Sequence, residues 1–404
     1  MIPLDDARRQ ILAACARLHP RAVPLSEALG CATSVALVSD EAVPPFANTA
    51  VDGFAVRSAD AGATPVTLEI VATLPAGADP AGLRVGDGQA IRIMTGAPMP
   101  EGADAVVMVE DTTVDGDKVT ISRTAAPGAH VRRAAEDVAP GDTVFEPGTE
   151  LTAGHIGVLA SIGYQRVPIY PRPRVGVLST GDELIADGSP LLPGQIRDAN
   201  RPMLLALVEQ AGCTAVDLGL VGDDEAAVTA AIETGLAECD ALVTSGGVSM
   251  GDFDYVKIVL DRLGKMHWWQ IAIKPAKPLA FGVVGEGVDG GKPVFGLPGN
   301  PVSSLVSFEL FARPALRQMM GHRHIDRPRV RAIADEPLPR RPDGKLHLVR
   351  VVATHEADGR VHVRSSGGQA SNLLRAMALA NALALVPDGD GVAGGGDVEV
   401  LLLS

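Results

Sequence analysis

The residue types best suited to chemistry gather in three polar loops and one lysine pair. Each loop directly follows a short apolar run. The first loop is Ser179-Thr180-Gly181-Asp182-Glu183, after Val175–Leu178. Gly181 permits a tight turn, and the hydroxyls and carboxylates suit a ligand edge. The same residues also suit a plain polar turn, so the motif leaves both readings open. The second loop runs from Thr244 to Asp254 and holds Ser245, Gly246, Gly247 and Ser249. Glycines let backbone N–H groups approach phosphate oxygens with no Cβ in the way. Asp252 and Asp254 close this loop. Carboxylates beside phosphates commonly hold Mg²⁺, although either could instead cap the next helix. The third loop carries Pro298, Gly299, Asn300 and Pro301. Asn300 is expected to cap a long helix that Pro301 starts, leaving N–H groups and a dipole for an anion. Between the second and third loops stand Lys274 and Lys277, each followed by a proline. Prolines stiffen the backbone, so two ammonium groups project from a fixed segment. Carboxylates for a metal and lysines for an oxyanion predict a metal-bridged phosphate plus a second anion.

Two further motifs, Asn48–Phe54 with Asp52 and Arg92–Ala97 with Thr95, are polar residues in apolar, turn-forming contexts. By themselves they are plain β-turns. No Ser–His–Asp or Cys–His arrangement is visible, which disfavours covalent catalysis. The 404 residues carry a net charge of −14 and only 3% aromatics. That excludes the basic, ring-bearing face of a nucleic-acid binder. No apolar run reaches bilayer length, and the amphipathic N-terminus lacks a signal-peptide core. Cys15, Cys31, Cys213 and Cys239 are far apart and form no CxxC pair. A cytoplasmic protein with reduced cysteines is expected.

These loops need a frame. Residues 1–40 have helical texture, and short strands are expected at Val66–Leu74, Gln89–Met94, Ala105–Val109 and Lys118–Ser122. A helix is expected over Thr152–Ile162, then a proline-rich linker at Pro168–Pro173. From Val175 apolar strands alternate with helices (Pro202–Ala211, Glu225–Glu238, Tyr255–Leu263, Val302–Met320), with Asn200 as a cap. The pattern predicts an α/β multi-domain chain with a doubly wound, mostly parallel sheet. Strand texture returns at Lys345–Thr354, Arg360–Arg364 and Val398–Leu403, a small C-terminal β domain. The expected division is 1–44 with 138–171 (helical linker part), 45–137 (β-rich insert), 172–325 (α/β) and 326–404 (C-terminal β).

Taken together, the motifs at Asn48–Phe54, Arg92–Ala97, Ser179–Leu184, Ser245–Lys257, Lys274–Pro278 and Gly296–Ser304 resemble those of the MoeA / gephyrin E-domain family. The resemblance spans nearly the whole chain. It implies a four-part elongated fold, with a MoaB/MogA-like α/β domain and a barrel-like C-terminal domain, and a homodimer. It implies insertion of molybdate into adenylylated molybdopterin, with Mg²⁺ and release of AMP. By motif it marks Asp52, Thr95, Asp137, Glu183, Asp223 and Asp254 as functional polar residues. Of these, Glu183, Asp223 and Asp254 would serve the metal and nucleotide–pterin side, while Asp52 and Asp137 close the site. Lys274, Lys277 and Ser371 would serve molybdate. Gln270 stands where some members have lysine, and Lys345 where some have arginine. The second change would turn a bidentate contact into a point charge. Rival readings are a molybdopterin adenylyltransferase and a non-catalytic scaffold of the gephyrin E-domain type.

Overall fold

The computed structural model describes residues 1–246, 255–285 and 291–403. Gly247, Ser249, Asp252 and Asp254 therefore lie outside the described residues.

The α/β part is a six-stranded sheet in the order Thr214–Val221, Arg174–Thr180, Ala241–Ser245, Lys292–Leu297, Pro278–Val284, Gly264–Gln270. The first four are parallel. The last two run antiparallel in turn, adding a reversed edge to the expected parallel sheet. Central strands such as Arg174–Thr180 are almost continuously buried, as strands covered on both faces must be. Val175, Val177 and Phe295 pack with Leu4, Ile11, Leu204, Val306 and Leu316 on one face. Leu178, Leu242 and Val294 pack with Val228, Ile232, Val256 and Leu260 on the other. Helices on both faces make the sheet doubly wound.

Two departures follow from exposure. Gly264–Gln270 alternates half-exposed and exposed residues at the sheet edge, so it lacks the apolar run that betrays a central strand. The apolar Ile271–Ile273 run is no strand of this sheet. Its end, Ile273–Lys274, pairs in parallel with Leu346–His347 of the C-terminal part. The long helix from Pro301 changes character along its length. It contains a π-helical stretch, Phe308–Ala312, between Pro301–Ser307 and Arg313–Met319. Pro314 has no N–H for an i−4 bond, which accounts for the widened turn before it.

The insert is also six-stranded, with Ala105–Met108, Gly53–Val56 and Gln89–Ile93 adjacent. A side chain at Gly53 would meet Val107 O at 2.0 Å, so only glycine fits there. The hairpin around Gly116 forms as expected, with φ +62°. In the first part the helix stops at Ala14. The helical reading of residues 15–40 is wrong because Pro20 and Pro24 cannot donate in a helix. Instead Arg21–Pro24 pairs with Arg166–Ile169, which places part of the expected linker in a strand. The helix Ala153–Ser161 is capped by Thr152 with His155 and ends before Gly163 at φ +79°.

The C-terminal part is a closed five-stranded barrel of Leu346–His355, Val361–Ser365, Arg329–Ala334, Asp397–Leu402 and Ala382–Val386. Leu346–His355 pairs with both Val361–Ser365 and Ala382–Val386, and this pairing closes the ring. Arg329–Ala334 carries its arginines at the exposed positions and buries Ala332 and Ala334.

Candidate functional site

The carboxyl ends of the parallel strands hold the first two loops. Ser179 is buried, and its hydroxyl donates to Asp198 Oδ1 at 3.2 Å. Asp198 is itself fixed by Arg201 at 3.0 Å. Thr180 is buried beside it. Gly181 packs so closely on Glu183 that a Cβ there would lie 2.5 Å from its carboxylate. The Asp223 N–H donates to Asp182 Oδ1 at 2.9 Å, and the Asp182 N–H to Asp223 Oδ2 at 3.4 Å. This reciprocal clasp joins the first loop to the turn after Thr214–Val221. Gly246 adopts φ +90°, and a side chain there would press on Thr180 O at 3.1 Å.

Asn200 is not the cap the sequence suggested. It is the first residue of Asn200–Gln210, and its side-chain amide spans two loops. Nδ2 donates to Ser245 Oγ at 2.7 Å and to Gly299 O at 2.6 Å. Its Oδ1 is buried without a protein partner. Asn300 occupies the N-cap position of Pro301–Ser307 but makes no side-chain cap bond. Another group supplies a partner there, since the Val302 N–H donates to Ser371 O at 3.2 Å. The third loop, with Pro298 and Gly299, is thereby tied to the barrel.

Between sheet and barrel lies a cleft of about 1260 Å³, lined by Lys274, Lys277, Ser303, Lys345, His347 and Ser371 among others. Lys274 and Lys277 are exposed on its wall, with buried Ala276 between them at φ +72°. A non-glycine residue held there stores backbone strain, a feature that clusters at binding sites. Lys345 is paired with Asp343 at 3.0 Å, and Asp343 also meets His347 Nε2 at 3.1 Å. Partial burial pushes the Asp343 carboxyl up. Hydrogen bonds from Lys345 and His347 outweigh this and hold it down at about 2. Lys345 is thus partly neutralised.

Arg350 escaped the sequence reading. It is fully buried, with two of its nitrogens lacking any partner. Its guanidinium donates to Gly368 O at 2.8 Å and Ala370 O at 3.3 Å. Gln369 Oε1 accepts the Arg350 N–H at 2.9 Å. Arg350 therefore braces the loop that presents Ser371, and burial holds its guanidinium below the usual arginine range. The available signal was a lone arginine in the apolar run Leu348–Val352.

The insert residues form a separate group. Asp52 Oδ1 accepts the Thr95 N–H at 2.7 Å and the Thr95 hydroxyl at 2.8 Å. The backbone bond, then the hydroxyl, and to a lesser degree Arg92 hold this carboxyl below its ordinary value. Asp137 is exposed at the root of the insert, where its N–H donates to Val43 O at 2.9 Å. Among the described residues, no hydrogen bond or ion pair joins Asp52, Thr95 or Asp137 to the α/β loops. Nor does any group of three or more His, Cys, Asp or Glu among them form a metal cage.

Three family models match in order: the MoeA N-terminal region (domain I and II) over residues 2–163, a probable molybdopterin binding domain over 176–318, and the MoeA C-terminal region (domain IV) over 331–403. Molybdopterin molybdenumtransferase 2 of Mycobacterium tuberculosis is 41% identical, with 94% of this chain and 93% of that protein covered. Molybdopterin molybdenumtransferase of Haemophilus influenzae is 38% identical over the same shares. Among solved structures, the molybdopterin biosynthesis moeA protein of Pyrococcus horikoshii OT3 superposes with a TM-score of 0.81 at 29% identity, covering all of both chains. A family match running from residue 2 to residue 403, with relatives this similar over nearly their whole length, has one reading: the chain belongs to the MoeA family of molybdopterin molybdenumtransferases.

Proposed function

We propose that this chain inserts molybdate into adenylylated molybdopterin and releases AMP, a transferase step in molybdenum cofactor biosynthesis. The observation that carries this reading is the cleft where Lys274, Lys277 and Ser371 converge beside the start of helix Pro301–Ser307. A small tetrahedral dianion fits two ammonium groups, a hydroxyl and a nearby helix N-terminus. In the reaction, the two dithiolene thiols bind molybdenum, and one oxo group of molybdate departs as water with their two protons. A water splits the phosphoanhydride and AMP leaves. The protein's share is to hold two anions together and exclude disorder.

Lys274, Lys277 and Ser371 bind molybdate, with Lys345 a secondary contact damped by Asp343. Ser179, Thr180, Gly181, Ser245, Gly246 and the Pro298–Pro301 loop, joined by Gly247 and Ser249, cradle the nucleotide–pterin. Mg²⁺ would be held by Glu183 and Asp223, whose loops are joined by the Asp182–Asp223 clasp, together with Asp254. When bound, it would neutralise phosphate charge next to these residues and Asp254. Asp52 and Asp137 close the site from the insert, and Thr95, which holds the Asp52 carboxyl, contacts substrate. Since they make no bond to the described residues of the α/β loops, the reading favours a homodimer whose arms each cover the partner's site. The four-part division and a cytoplasmic location belong to the same reading.

The test is an anaerobic assay of the purified protein with adenylylated molybdopterin, with and without molybdate and Mg²⁺. Molybdate-dependent release of AMP is the expected outcome. Turnover of ATP without molybdate would instead identify an adenylyltransferase.

A further inference from the structure

A second cavity opens at the opposite edge of the α/β sheet, where the parallel strands begin. It measures about 910 Å³. Arg174 and Lys292 start two of those strands, and Asp240 immediately precedes a third. The segment after the first helix and the linker at Ile169–Arg174 supply the other walls. Among the described residues that line it are Arg17, Arg21, Arg172, Arg174 and Lys292, with the carboxylates of Glu27 and Asp240. Among the described lining residues, five Arg and Lys cations against two carboxylates give an excess of three positive charges, on a chain whose net charge is −14.

Among the described residues, no ion pair consumes these cations. Asp240 instead accepts the Arg174 backbone N–H at 2.7 Å. Arg172 donates to Leu29 O at 2.7 Å and Arg174 to Glu238 O at 3.0 Å, while Lys292 donates to Leu236 O. Arg17 lies over the Tyr170 ring at 5.7 Å. Neutral carbonyls and a ring thus orient the cations without cancelling their charge. An arginine fork has five donors, so one carbonyl contact leaves most of them available. Four arginines to one lysine favours planar, bidentate recognition of phosphate oxygens over a diffuse cationic rim. The volume also lies within the range of small-molecule sites, roughly 300–1,000 Å³.

We propose that this cavity binds a small oligophosphate, either inorganic or the phosphate chain of a nucleotide, at a site distinct from the molybdate cleft. Such a ligand would bridge the N-terminal segment, the linker and the sheet.

The test is calorimetric titration of the full chain with tripolyphosphate, and separately with ADP, in wild type and variants. In the Arg21→Ala/Arg174→Ala variant the tripolyphosphate Kd should rise tenfold or more, with AMP-releasing activity unchanged. In the Lys274→Ala/Lys277→Ala variant that binding should persist. ADP binding that follows the same pattern marks a nucleotide as the source, while tripolyphosphate alone marks an inorganic one. Arg21→Ala alone guards against misfolding, because the Arg21 side chain makes no hydrogen bond among the described residues. It should still raise Kd with an unchanged melting temperature. The proposal fails if millimolar tripolyphosphate does not bind, if binding tracks the lysines instead, or if a hexaglutamate peptide binds the cavity in its place.

Discussion

Lys274 and Lys277 flank a strained Ala276, so their charges are held where a flexible segment would let them drift. Losing a charge-assisted hydrogen bond costs about 1.5–3 kcal/mol. Lys274→Ala should therefore raise the molybdate concentration for half-maximal AMP release tenfold or more. Nucleotide–pterin binding should stay near wild type. Lost nucleotide binding with unchanged molybdate dependence would move this lysine to the other substrate. Arg350 acts on the same site from behind. Arg350→Met strips the carbonyls of Gly368 and Ala370 of their donor. Hydrogen exchange in residues 366–371 should speed up, and molybdate saturation should weaken with it. The lysines were legible because prolines and an apolar neighbour mark them within five residues. Arg350 and Asn200 were not, because their partners lie 18 or more residues away in the chain. Only folding reveals which loop a buried polar group holds.

At the level of elements, continuous apolar runs announced the central strands, while half-exposed strands such as Gly264–Gln270 escaped. The Asn200 bridge joins two loops that leave different strands. Asn200→Ala leaves Gly299 O without that partner and should lower stability by about 1–3 kcal/mol, read as a drop in melting temperature together with weaker nucleotide–pterin binding. Another joint connects the first part to the α/β helices. Glu150 meets Arg317 at 2.6 Å and the buried His322 ring at 3.2 Å. Burial and the neighbouring Arg317 outweigh Glu150 and push His322 from 6.5 down to about 4. A base depressed in the folded state contributes stability above its unfolded value, and that contribution drains as pH falls. Thermal stability should accordingly decline from pH 6.5 toward 4, and His322→Gln should flatten that part of the profile. An unchanged slope in the variant would place the acid sensitivity elsewhere.

Over the whole molecule, the insert and the α/β loops carry the proposed site residues, and among the described residues no bond joins the two groups. If each arm covers its partner, mixing the inactive variants Asp52→Ala and Asp254→Ala after dissociation should restore about a quarter of wild-type activity, because about half the dimers are mixed and each then has one intact site. No recovery on mixing would mean that each site is built from one chain.

One short segment does more than carry the lysines. The Ile2 N–H donates to Gln270 O at 2.8 Å, and Ala272 returns a bond to Ile2 O at 2.8 Å. On its other side Leu346 N donates to Ala272 O at 2.9 Å, and Ile273–Lys274 joins the barrel. The barrel is therefore sewn to the rest by strand pairing as well as by chain continuity. A gene split between Asp326 and Arg327 should give two fragments that copurify and complement each other, with the seam running along the proposed molybdate cleft. Their affinity should fall when Leu346 is replaced by proline, since the stitch would lose the N–H that bonds Ala272 O. In that light, residues 270–274 are the built-in splint of a protein that could be made in two pieces.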